Sequence, residues 1–156
     1  MLPAMFSIVP AADRRTYWLG GQRQALIVDA SQTNGRYALS HSTIAPGSGA
    51  AEHSHSREAE AFYVIAGRLR YALDGRTVVL EKGDFLHAEP GHKYSFEVIG
   101  LETAEVLILY APAGLEHFVA EAGVPDQADA FQKSMDEAGA VMTAAPAYGV
   151  RYTRSS

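Results

Sequence analysis

The chain has 156 residues, a net charge of −5 and no cysteine. A chain of that length suits one domain able to bury roughly two-thirds of its unfolded surface without covalent staples. The missing cysteines exclude disulfides, thiolate metal sites and cysteine nucleophiles, and the acidic balance argues against a nucleic-acid or anionic-membrane partner.

The start, Met1 to Phe6, has no basic region leading into a continuous apolar stretch, so no leader is expected. No uncharged apolar run approaches the roughly 20 residues of a spanning helix, and a cytoplasmic protein without membrane contact is the expectation.

From about residue 15 to 110 the pattern has period two. Tyr37, Leu39, His41 and Thr43 alternate with Arg36, Ala38, Ser40 and Ser42, placing the first set on one face of a strand. Leu69, Tyr71 and Leu73 alternate with Arg68, Arg70 and Ala72, the arginines facing outward. Asp74-Gly75 is a two-residue turn signal, and Thr77 to Leu80 returns as the partner strand. Tyr94, Phe96 and Val98 form one apolar face against Lys93, Ser95 and Glu97. Glu105 to Tyr110 is apolar on both faces, as in a strand covered on both sides by core and by a helix or second subunit. Many short strands between Gly, Pro and Asp turns predict a sandwich or barrel rather than a parallel α/β sheet.

After Pro112 the spacing becomes helical. Leu115, Phe118, Val119 and Ala122 make one stripe, closed by Gly123 and Pro125. Asp126 is the candidate cap of a second helix with Ala128, Phe131, Met135 and Ala138 on its apolar face. Tyr148 to Tyr152 is a candidate short strand. The division is thus one domain over 1–156, with a barrel at about 15–112 and a helical tail at 113–156.

The chemistry concentrates in His53-Ser54-His55 and Glu60. On a strand, positions i and i+2 point the same way, so both imidazoles reach one interior point. Two neutral imidazoles and a carboxylate from adjacent strands form a facial triad with open positions. That donor set suits Fe(II), and Mn, Co, Ni, Cu or Zn would also bind it.

Gly47, five residues, His53-x-His55, four residues, Glu60, six residues and Gly67 together reproduce the first motif of the cupins. Gly83-Asp84 and the Pro90-Gly91 turn correspond to the second motif. With Trp18-Leu19-Gly20 and the text from Glu60 to Val64, the chain resembles small quercetin-dioxygenase-like cupins over roughly residues 15 to 125. The resemblance implies an all-β double-stranded β-helix (jelly-roll) barrel, one divalent transition metal on His53, His55 and Glu60, and a homodimer. Three departures stand in the second motif. Glu89 occupies the expected proline position, Tyr94 the position of the third histidine, and Val98 that of an asparagine.

Tyr94 keeps the inward direction and changes the chemistry. Its reading is first a hydrogen-bond or acid–base group, with phenolate ligation and inert packing behind. His92 is a second candidate ligand. The substrate pocket is expected at His41, Phe62, Tyr71, His87 and Phe96, with His41 read first as a satisfied interior histidine. His117 and Glu89 read as solvated or rim charges.

Three function classes follow. The first is a mononuclear dioxygenase of an aromatic or enolic small molecule, with Glu60 and Tyr94 as catalytic residues. The second is a non-redox cyclase, isomerase or dehydratase of a polyketide-like metabolite, with a metal as Lewis acid or with none. The third is a metal-free module that binds a small ligand.

Overall fold

Alternating burial along nearly every strand sets the architecture seen in a computed structural model, which describes residues 6–153. The strands are β1 (Arg15–Leu19), β2 (Gln22–Val28), β3 (Ala38–Ile44), β4 (Gly49–His55), β5 (Ala59–Ala66) and β6 (Arg68–Leu73). They continue with β7 (Arg76–Glu81), β8 (Phe85–Ala88), β9 (Tyr94–Val98), β10 (Ala104–Ala111), β11 (Val124–Pro125) and β12 (Val150–Tyr152). Four α-helices, α1 (Ala30–Thr33), α2 (Leu115–Ala122), α3 (Ala130–Asp136) and α4 (Ala138–Ala144), and two 3-10 turns at Ala11–Asp13 and Ala145–Tyr148 complete the described elements.

Two antiparallel sheets face each other. One has seven strands in the order β11-β1-β2-β3-β10-β5-β8, the other five in the order β12-β4-β9-β6-β7. Their inner faces bury Ile44, Phe62, Val64, Leu69, Tyr71 and Val106 at 1 % exposure or less. Such interdigitated inner faces, with polar residues turned outward, are the packing logic of an all-β jelly roll.

Local sequence explains the joints. Asp74 and Gly75 both have positive φ (47° and 84°), as a type I′ hairpin requires, and they join β6 to β7. Gly49 begins β4 where a Cβ atom would lie 1.8 Å from the Phe96 carbonyl oxygen, so no larger residue lets β4 approach β9 there.

The helical stripe at 115–122 forms α2, whose Leu115, Phe118, Val119 and Ala122 are buried and whose end is Gly123. The remaining tail differs from expectation. Asp126 does not cap a helix; its carboxylate takes Trp18 Nε1–H at 2.7 Å and the Arg23 guanidinium at 2.7 Å. The next helix starts at Ala130, and it buries Ala130 and Ser134. Phe131 stays 40 % exposed because it packs only edge-on to Trp18, with ring centroids 5.6 Å apart. Nor is the tail purely helical. β11 extends the larger sheet beside β1, and β12 extends the smaller beside β4.

On β3 the structure corrects the expectation of an interior His41. Ala38, Ser40, Ser42 and Ile44 point to the core, and Leu39, His41 and Thr43 to the outside. The inner face between β2 and β10 takes the small side chains of Ala38, Ser40 and Ser42. No described helix is long and apolar enough to cross a membrane. Residues 1–5 and 154–156, which bear on the leader and tail expectations, lie outside the described residues.

Candidate functional site

β4 delivers His53 and His55 to the barrel interior, as alternation requires, with 6 % and 5 % exposure. Val150 and Tyr152 of β12 lie across the strand pair from His55 and His53. On the other flank of β4, Tyr94 of β9 is the register partner of His53. Glu60 comes from β5 in the opposite sheet, where it is buried beside Tyr110.

These side chains meet between the sheets. The Tyr94 hydroxyl donates to Glu60 Oε2 at 2.6 Å. Glu60 Oε1 lies 2.8 Å from His55 Nε2, but off the ring N–H axis, so the contact is a close charge pairing and not an aligned hydrogen bond. His53 Nδ1 sits 2.7 Å from the Ala51 carbonyl oxygen. A carbonyl can only accept, so Nδ1 carries the hydrogen and Nε2 keeps its lone pair for the interior.

Electrostatics separate the four groups. Burial opposes ionisation of Glu60, yet neighbouring His55 and the Tyr94 hydrogen bond outweigh it and hold the carboxyl below its ordinary range. Burial likewise disfavours imidazolium at His55, but the Glu60 charge reverses that and raises it. Burial and the His55 charge lower His53, which stays neutral. Burial and the Glu60 charge push the Tyr94 phenol well above its usual value. A base kept charged and an acid kept protonated thus share one hydrogen bond.

A cavity of about 60 Å³ adjoins this cluster. Its lining combines polar His53, His55, Glu60, Tyr94, Gln22 and Gln24 with apolar Leu115, Phe118 and Val119 of α2. Gln24 Oε1 accepts from the Tyr110 hydroxyl at 3.2 Å.

Of the expected pocket residues, Phe62 and Phe96 line the cavity. His41, His87 and Tyr71 do not. His41 is on the outer face of β3, 3.6 Å from Glu105. His87, 49 % exposed, pairs with Glu89 on the outer side of β8. Tyr71 is fully buried in the core, stacked on Phe96. His92 is no ligand candidate either: it is 63 % exposed in its turn and bound to Asp74 at 2.6 Å. His117 is also 63 % exposed. Gln22, Gln24, Tyr110, Tyr152 and Glu58 escaped the sequence reading. Alternation marks Gln22 and Gln24 as one face of β2, but glutamines on a strand read as solvent-facing.

The donor types fit a divalent metal. His53 and His55 each keep Nε2 without an aligned hydrogen-bond partner. The 2.8 Å between His55 Nε2 and Glu60 Oε1 is close to the roughly 3 Å that separates two adjacent ligands on one ion at about 2.1 Å bond lengths. The carboxylate is nevertheless engaged by Tyr94, and among the described residues no three His, Asp or Glu side chains surround a common point.

Residues 40–110 match the family model described as Cupin domain, and the two facing sheets around them have the cupin double-stranded β-helix fold. Among curated proteins, it is 29 % identical over 109 residues to the tetracenomycin polyketide synthase protein TcmJ of Streptomyces glaucescens, covering 70 % of each chain. It is 27 % identical over 112 residues to quercetin 2,3-dioxygenase of Bacillus subtilis, covering 72 % of this chain. The chain spans only 33 % of that dioxygenase's length. In fold it is similar to KdgF of Halomonas sp., with a TM-score of 0.62, 16 % identity and coverage of 71 % of this chain and 97 % of that one.

Proposed function

We propose that this cupin is an enzyme of proton transfer on an enolisable or aromatic small molecule, a cyclase, isomerase or dehydratase of polyketide-like substrates. The observation that carries this is the 2.6 Å hydrogen bond from Tyr94 to Glu60, which joins a charged base and a protonated acid in one buried place. A base and an acid with well-separated ionisation, side by side, are what such chemistry needs. Similarity to TcmJ over 70 % of both chains supports the substrate class.

In this mechanism Glu60 removes a proton from a carbon next to a carbonyl. The Tyr94 hydroxyl turns from Glu60 to the carbonyl oxygen and holds the developing negative charge with its hydrogen bond. Glu60 then returns the proton at a different position, so the substrate is neither oxidised nor reduced. His55 holds the Glu60 carboxylate charged between turnovers. A divalent transition metal held by His53, His55 and Glu60 would supply Lewis acidity toward the same carbonyl oxygen.

The second reading is a dioxygenase of an aromatic or enolic substrate. The burial of His53, His55 and Glu60 in the barrel interior favours it, as does the similarity to quercetin 2,3-dioxygenase. In either reading the protein works as a homodimer through the outer face of its seven-stranded sheet. There Tyr63 and Phe85 are register partners, 46 % and 62 % exposed, beside half-buried Leu107.

Anaerobic incubation of enolisable aromatic polyketides in heavy water tests the choice. Deuterium incorporation or ring closure without oxygen, lost in Glu60→Gln, is expected. Turnover only with oxygen consumption would replace the first reading by the second.

A further inference from the structure

Glu58 has no part in the chemistry above, yet it is a carboxylate at 4 % exposure in the turn between β4 and β5. Its Oε2 is buried without a hydrogen-bond partner, and so is His55 Nδ1. These two atoms face each other at 3.9 Å. No described Lys or Arg pairs with Glu58 within 4.0 Å. Its Oε1 lies beside Gly114, where even an added Cβ would stay 4.0 Å away. A shift of about 1 Å from the 3.9 Å separation brings Oε2 to hydrogen-bond distance of Nδ1. Leaving a buried donor and acceptor both unmade costs far more than that shift.

We propose that Glu58 is a positioning residue of the site: it accepts the His55 Nδ1–H and thereby holds the ring with Nε2 turned toward Glu60 and the cavity. The neighbouring histidine shows the same wiring in finished form, because His53 Nδ1 is already met by the Ala51 carbonyl at 2.7 Å. Each imidazole then has its outer nitrogen fixed by a second group and its inner nitrogen directed into the site. Outer acceptors of this kind set the tautomer and orientation of histidines that hold a metal or a carboxylate. The inference deepens the proposed use of His55, but its readouts do not require turnover.

The test is nitrogen NMR of the full chain with isotope-labelled histidine, comparing the native protein with Glu58→Ala and Glu58→Gln. The expected result is a His55 Nδ1 proton shielded from solvent exchange in the native protein and in Glu58→Gln, which keeps a carbonyl acceptor. In Glu58→Ala that shielding is lost, while the His53 signal is unchanged in all three. Glu58→Met, similar in size and without an oxygen acceptor, replaces Glu58→Ala should the alanine variant not fold. Zinc alone is the second probe, with affinity in Glu58→Ala weakened by about 10- to 100-fold and in Glu58→Gln by less. A His55 Nδ1 proton equally shielded in Glu58→Ala or Glu58→Met overturns the proposal, whatever zinc does. Native protein that takes up no zinc sinks the metal option of the proposed function, and the NMR comparison alone then decides the role of Glu58.

Discussion

Tyr94 and Glu60 belong to different sheets, and the 2.6 Å bond between them spans the barrel. The departure from the cupin pattern, tyrosine where a third histidine is expected, thus lands on the group that occupies the carboxylate. Replacing an imidazole by a phenol exchanges a ready metal donor for a proton donor. Tyr94→Phe keeps the ring packing against Phe62 and removes only the hydroxyl. Deuterium exchange into substrate is expected to slow by about 10²- to 10⁴-fold, the usual share of a general acid. Thermal unfolding should show a loss of about 1.5–3 kcal/mol, as for a hydrogen bond to a charged group. Unchanged exchange in Tyr94→Phe would make the hydroxyl a packing group.

The Glu60–His55 contact predicts a pH window for stability. The folded-state value of Glu60 is lowered, so its share is present above the ordinary glutamate value of about 4.3 and lost as pH falls through the lowered value. The folded-state value of His55 is raised, so its share is complete below about 6.5 and lost as pH rises through the raised value. Both are present together between about 4.3 and 6.5. The melting-temperature margin of native protein over Glu60→Gln should peak in that window and shrink above it. A margin that widens on the alkaline side contradicts the pairing.

Phe118 of α2 is buried against the cavity. Phe118→Ala should cost about 3–5 kcal/mol in chemical denaturation. The same variant enlarges a space of about 60 Å³, so it should admit bulkier substrates, seen as a lower KM for larger ring systems. A drop in stability with no change in substrate range would place the entrance elsewhere.

Metal content separates the two versions of the mechanism. Elemental analysis of protein purified without chelators or a metal-affinity tag is compared with a His53→Ala/His55→Ala double variant. Stoichiometric zinc that vanishes in the variant supports the Lewis-acid version; iron, nickel, manganese or copper that vanishes favours dioxygenation. No metal in either leaves Glu60 and Tyr94 to work alone.

The outer sheet face carries the assembly prediction. Phe85→Glu places a charge beside Tyr63, its register partner on β5, at an exposed site where folding is little affected. Sedimentation should show a native dimer and a monomeric variant. A native monomer would remove the homodimer from the proposal.

Strand positions, the Asp74-Gly75 hairpin, α2 and the convergence of His53 with His55 were legible because each rests on local periodicity or turn chemistry. Residues two apart on a strand must share a face wherever the strand goes. Periodicity does not say which face is inside, and the error at β3 shows the limit. Leu39 and His41 look like the core set, yet the packed interior takes Ala38, Ser40 and Ser42. His87 and His92 failed for a related reason, since each finds a nearby carboxylate at the surface, Glu89 and Asp74.

The motif spacing in the chain points to Glu60 and to the inward direction of Tyr94, but not to the bond between them. They are 34 positions apart and lie in separate sheets, so only the closure of one sheet over the other brings them to 2.6 Å. The same holds for Gln24 against Tyr110, 86 positions distant, and for β12, which reaches His53 and His55 after the whole helical tail. Alternation along a strand is a short-range property of the backbone; which side chains meet across the barrel depends on sheet order and register, set by the packing of the entire core.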